Sequence, residues 1–221
     1  MSSARDRLAH LLTLAGEGQA ARVFLLGELA DLLLDWPEDC PDSMRPPVLA
    51  LFERLVREAD EECRAQLAGR FGGHGELPLT LVNEFFLAAP APLRREILMR
   101  NEATNEVAPV EAPLNPAALI VAARDASARD FCGRAAREFH IAADTAGAIF
   151  ADPTGEALAV LCKGAHLNRA AFSALAILRL GGAELEQRLS AYDGVPQRGA
   201  ERLTHHWQSH RAASEFPKAA E

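Results

Sequence analysis

Apolar residues return at helical spacing along nearly the whole chain, and the densest run is Gln19 to Trp36, QAARVFLLGELADLLLDW. Val23, Leu26, Ala30 and Leu33 recur every three or four residues there, and Leu25, Leu29 and Leu32 widen the stripe. A helix apolar around so much of its girth needs cover on more than one side. This stretch is therefore expected to be a central scaffold, flanked by helices that begin near Ser3 and Pro46. Pro37 ends it, because proline clashes with a preceding helical turn.

The same reading carries through the chain. Leu8, Leu11 and Leu12 mark a first helix over Ser3–Leu14. Asp42 or Ser43 is the expected cap of a helix with Pro46 and Pro47 in its first turn and Val48, Leu51, Phe52, Leu55 and Val56 inside. Asp60 opens a helix that buries Cys63, Leu67 and Phe71, and Gly72-Gly73-His74-Gly75 closes it. Leu81, Val82, Phe85 and Phe86 follow Pro78, and Leu93–Met99 form a short successor. In the second half Asn115, Ser127 or Asp125, Asp152 and Asn168 stand at N-cap positions, with Pro116 and Pro153 at the first helical residue behind two of them. Gly164 and Gly181-Gly182 end two of these helices. The last helix has the stripe Ala200, Leu203, Trp207 and His210.

The predicted fold is all-α: antiparallel helix pairs in a HEAT-like α-solenoid or a bundle, with a second helical portion. The expected division is residues 1–103, an acidic proline-rich linker at 104–115 (TNEVAPVEAPLN), a helical portion at 116–211 and a disordered tail at 212–221.

Composition agrees with helices, since Ala and Leu dominate a chain with 49% apolar and 24% charged residues. The formal charge of −8 is spread over both halves, so no basic footprint for nucleic acid or anionic lipid stands out. No apolar run reaches the roughly 18 residues of a membrane span. Cys40, Cys63, Cys132 and Cys162 are far apart and form no CxxC, which reads as reduced thiols in a cytoplasm.

Few residues invite a chemical reading. His205, His206 and His210 form HHWQSH, with His206 and His210 one helical turn apart as two metal ligands could be. The adjacent Glu of HExxH is missing. Trp207 and Leu203 set the buried side, so His210 is expected to border the core and His205 to face water. The glycines at 72–75 follow a helix instead of opening one, which makes them a turn and not a phosphate cradle. Residues 155–180 have the outline of a helix-turn-helix, but Asn168, Arg169, Ser173 and Arg179 are a sparse set for reading bases. Cys40 lies in a loop beside Glu38, Asp39 and Asp42, which would hold its thiol protonated. Asp60-Glu61-Glu62 is the acidic first turn of a helix. No residue earns a catalytic, cofactor or metal role.

ARVFLLGELADLLLDWP at 21–37, LRREILMRNEATNEVAPVEAP at 93–113, DPTGEALAVLCKGAHLNRAAFSALAIL at 152–178 and ERLTHHWQ at 201–208 together resemble the domain of unknown function 2336 family. The resemblance implies a helical, HEAT-like protein of an alphaproteobacterial cytoplasm and brings no activity and no site residues with it. The functional expectation is thus a non-enzymatic interaction or regulatory module that binds another protein or itself. A DNA-binding regulator and an unrecognised enzyme are the alternatives.

Overall fold

The structure is a computed structural model that describes residues 19–71, 77–100, 109–113 and 115–215. The helix expected at Ser3–Leu14, the glycine run at 72–75 and positions 104–108 and 114 of the linker lie outside the described residues. Among the described residues the fold is all-α, with twelve helices, one 3-10 turn and no strand. The first half holds α1 (Gln19–Leu34), the 3-10 turn Asp42–Met44, α2 (Arg45–Glu58), α3 (Glu61–Phe71), α4 (Leu79–Ala88) and α5 (Ala91–Arg100). The second holds α6 (Pro116–Asp125), α7 (Ala128–Glu138), α8 (Ala143–Ala151), α9 (Glu156–Gly164), α10 (Arg169–Leu180), α11 (Leu185–Gly194) and α12 (Gln197–Glu215). α12 thus runs on into the segment expected to be a tail from residue 212.

Local chemistry sets most boundaries. Asp60 Oδ1 accepts from the Cys63 N–H at 2.8 Å, Asn115 Oδ1 from Ala118 N–H at 2.9 Å and Asn168 Oδ1 from Ala171 N–H at 2.9 Å. Ser127 Oγ caps α7 through the Asp130 N–H. Each such cap is worth about 1 kcal/mol. Two expected caps differ. Neither Asp42 nor Ser43 caps α2, because both sit in the 3-10 turn and the N-cap is Met44. Pro153 does not start α9 either: the chain turns through Thr154 and the left-handed Gly155 (φ +75°) before the helix begins at Glu156.

Consecutive helices pack as pairs, α1 on α2, α3 on α4, α6 on α7 and α10 on α11. The apolar interior forms two clusters. One runs from Leu25 to Ile97; the other gathers residues between Leu119 and Trp207 and also takes Phe86 of α4 and Leu98 of α5. α12 returns to the first half, packing on α4 and α5 as well as on α9, and the Trp207 indole N–H donates to Asn83 Oδ1. The described part of the proline-rich segment lies along α12. The Gln208 side-chain amide accepts from the Glu111 N–H at 3.0 Å and donates to the Glu111 carbonyl at 2.8 Å, as a neighbouring strand would.

The scaffold is α9 and not α1. Residues Ala157–Cys162 and Gly164 of α9 are all buried, and α8, α10, α11 and α12 enclose it. α1 packs on α2 and α3 through Leu25, Leu26, Leu29, Ala30 and Leu33, but Val23 is 45% and Phe24 58% exposed. It forms an outer wall of the described fold. Its stripe is wider than the face it buries, so Val23, expected inside, faces outward.

Candidate functional site

The strongest polar constellation joins the two halves. Arg94, on α5, shares the apolar stripe of Ile97 and Leu98 and is only 9% exposed. Its Nη1 donates to Asp152 Oδ2 at 2.8 Å and to Thr154 Oγ1 at 3.2 Å. Nε donates to the Ala89 carbonyl at 2.7 Å and Nη2 to the Leu87 carbonyl at 3.2 Å, where α4 ends. Asp152 in turn accepts from the Ala157 N–H of α9 at 3.0 Å and from the Thr154 hydroxyl and N–H. A guanidinium therefore serves the negative end of α4, a carboxylate serves the positive end of α9, and the ion pair ties the two ends together.

A second buried arginine holds the same turn from the other side. Arg188 of α11, 5% exposed, donates to the carbonyls of Pro153 at 3.0 Å, Gly181 at 2.7 Å and Leu180 at 3.3 Å. Its methylenes lie against Gly155, where an added Cβ would meet Arg188 Cδ at 3.1 Å, so both the positive φ and the close approach require glycine there. Neither arginine was singled out from the sequence. The signal was present, because Arg94 and Arg188 each interrupt an apolar stripe at helical spacing, and a charge in that position is buried only with partners.

Glu156 completes the cluster. Its Oε2 is buried without a hydrogen-bond partner, 3.9 Å from Arg94 Nη1. Burial pushes its carboxyl above the ordinary range, against the opposing pull of Arg94. The cleft beside it, lined by Phe86, Leu98 and Val160, measures about 10 Å³, room for a single water. With the donors of Arg94 committed to the fold and no space for a substrate, this cluster acts as a structural clamp.

The three histidines picked out in the sequence all lie on α12, in different surroundings. His206 borders the core at 8% exposure, His210 is exposed, and their rings lie 3.9 Å apart. His205 is half-buried and donates from Nδ1 to the Pro109 carbonyl. The expected order, His210 inside and His205 in water, is corrected because the buried face of α12 closes on Leu203, Thr204, His206 and Trp207 and stops there. Among the described residues no group of three or more His, Cys, Asp or Glu side chains is arranged to hold a metal ion.

Burial and the neighbouring His210 and His205 bring the His206 pKa down to about 4 from an ordinary 6.5. Between those values the unfolded chain takes up a proton that the folded chain refuses, so stability is lost as pH falls from about 6.5 to 4. The expected loss is roughly 2–3 kcal/mol, and His206→Gln should flatten that part of a urea-denaturation series across pH.

The helix-turn-helix outline corresponds to α9 and α10. Arg169 pairs with Asp193 at 3.0 Å, and the Asn168 side chain is the cap of α10. Arg179 donates to the carbonyls of Ala123 and Ala126 and covers the Phe131 ring at 4.4 Å. Arg179 is thus committed to the fold, Asn168 to its cap and the exposed Arg169 to Asp193, and α9 itself is enclosed. The four cysteines are free thiols. Cys40 is buried despite its loop, Cys132 is half-buried, and burial pushes the thiols of Cys63 and Cys162 upward.

A groove of about 280 Å³ lies elsewhere, between α1, the end of α2 and the start of α3. Val23, Leu26, Leu55, Ala59 and Cys63 form its floor and walls, and Arg22, Glu58 and Asp60 stand on its rim. Arg22 and Glu58 face each other there at 3.5 Å. No part of the sequence reading assigned a role to this groove, because its walls come from residues about 30 positions apart.

No curated protein and no solved structure matches the chain. A family model described as an uncharacterised protein conserved in bacteria, DUF2336, matches residues 48–205. That span holds Arg94, Asp152 and Arg188 and leaves α1, with the resembling stretch at 21–37, outside it. On that match across both halves, the chain belongs to the DUF2336 family of bacterial proteins.

Proposed function

We propose that this protein is a non-catalytic interaction module that binds another protein through the α1–α2–α3 groove and works in the cytoplasm. The observation behind this reading is the apolar wall of α1. Val23 lines the groove and is 45% exposed, and Phe24 beside it is 58% exposed. Large side chains left in water next to an apolar groove are a feature of interaction surfaces. The strongest polar cluster is spent on holding the fold, which agrees with binding more than with catalysis. No described helix is long and apolar enough to cross a membrane.

The test compares the intact protein with a Val23→Asp, Phe24→Ser variant as baits in lysate of the source bacterium. Both positions are exposed, so the variant should melt within about 0.5 kcal/mol of the parent. The expected result is a defined set of proteins held by the parent and lost by the variant. Identical sets from both baits would sink the assignment to this groove. Elution as a dimer that the variant abolishes would replace the foreign partner with a second copy.

A further inference from the structure

We infer that the groove between α1 and the α2–α3 turn receives a basic amphipathic helix, a reading that rests on the interaction function proposed above and names the chemistry of the partner. The groove's walls are helices. Val23 and Leu26 stand three apart on α1 and present one ridge of apolar side chains; Leu55 of α2 and Ala59, the extended residue that ends α2, line the opposite side. An opening of about 280 Å³ is just under the range of about 300–1,000 Å³ typical of clefts that enclose a small ligand. It suits one or two anchor side chains from a helix laid across it, in the mode read out at positions i, i+3, i+4 and i+7.

The rim determines the sign of that helix. Glu58 and Asp60 line the groove, and Glu61 and Glu62 follow as exposed residues in the first turn of α3. Against these four carboxylates stand Arg22, already facing Glu58, Arg54, exposed one turn before Glu58 on the same face of α2, and Arg57, whose Nε donates to the Glu53 carbonyl. Arg64, the next base on α3, is taken by Glu84 at 3.0 Å. The positive end of α3 contributes about half a charge and leaves the rim negative. The formal charge of −8 on the chain extends the same attraction to longer range. A helix with leucine-type anchors and flanking Lys or Arg is complementary on both counts.

The test is fluorescence anisotropy of the full chain with two labelled synthetic helices. Both carry leucines at i, i+3, i+4 and i+7; one is flanked by lysines and the other by glutamates. The lysine helix is expected to bind saturably, at least about tenfold tighter than its glutamate twin, and more weakly at high salt. The double variant Glu58→Lys, Glu61→Lys should reverse that preference with no more than a small drop in the melting midpoint, since Lys at position 61 opposes the α3 dipole and Lys at position 58 faces Arg22. Val23→Asp should abolish binding of both. Equal binding of the two helices, or equal binding by a lysine helix whose leucines are replaced with serine, would overturn the inference. So would binding that develops only after residues 1–18 are removed, which would assign the groove to the chain itself. If lysate partners depend on Val23 while neither synthetic helix binds, the interaction function stands and only the partner's chemistry falls.

Discussion

Arg94→Ala is expected to cost about 3–5 kcal/mol of folding stability, read as a shift in the urea midpoint with the slope unchanged. The loss is large because four acceptors depend on one side chain. The carboxylate of Asp152 would stay buried at 8% exposure without its counter-charge, and the carbonyls of Leu87 and Ala89 would lose their donor at the end of α4. Arg94→Lys should recover little, since an ammonium cannot reach the carboxylate and both carbonyls in one plane. The deciding measurement is a cycle with Arg94→Met and Asp152→Asn. Asp152→Asn leaves an oxygen that still accepts from the helix N–H groups, and Arg94→Met brings no charge. The double variant should therefore be more stable than the sum of the singles by about 1–3 kcal/mol. Additive effects would mean that the two residues act separately and that the clamp is not a unit.

Gly164→Ala is the second large effect, and its sign runs against helix propensity. Within a helix the exchange ordinarily stabilises by roughly 1 kcal/mol. At Gly164 the added Cβ would fall 2.5 Å from the Ala200 carbonyl oxygen and 2.8 Å from Thr204 Cβ, because α9 and α12 cross there with their backbones almost touching. A carbonyl of a packed helix cannot rotate out of the way. The expected cost is about 3 kcal/mol, from forcing α12 off α9. Thr204→Ala in the same chain should relieve only part of it, since the carbonyl clash remains. Gly133→Ala on α7 is the control: an added Cβ meets nothing within 4 Å, so this variant should gain a few tenths to about 1 kcal/mol. Loss of stability at both glycines would show that crowding at the α9–α12 crossing is not the cause.

What could be read from the chain followed the range of each interaction. Asp60, Asn115, Ser127 and Asn168 cap helices through bonds to residues three positions on, so their meaning is local and was visible in the sequence. The class of fold followed for the same reason, from stripes repeated within single helices. α9 was missed as the scaffold because its enclosure depends on α12, some 40 residues further along, and nine residues give too short a stripe to stand out. Gly164 has the look of a helix-ending glycine. The left-handed residue behind α9 is instead His166, at φ 59°, and the glycine is needed for a neighbour that the sequence does not announce. Asp152 was recognised as a residue that serves a helix start. Its partner Arg94 lies 58 positions back, and only the folded chain brings them together. The groove is an extreme case: it has no motif at all, only two helix faces and a turn.

The position of α12 has a consequence for how the protein is made. α9 can be sealed only when α12 has been synthesised, since Ala200, Leu203 and Thr204 close over it. About 50 residues separate the end of α9 from the end of α12. At the usual pace of translation, that leaves the nascent chain for roughly 3–10 s with α9, buried along almost its whole length in the fold, open on one side. A surface open for that long is prone to aggregation, so slowing elongation between α9 and α12 is expected to lower the yield of folded protein.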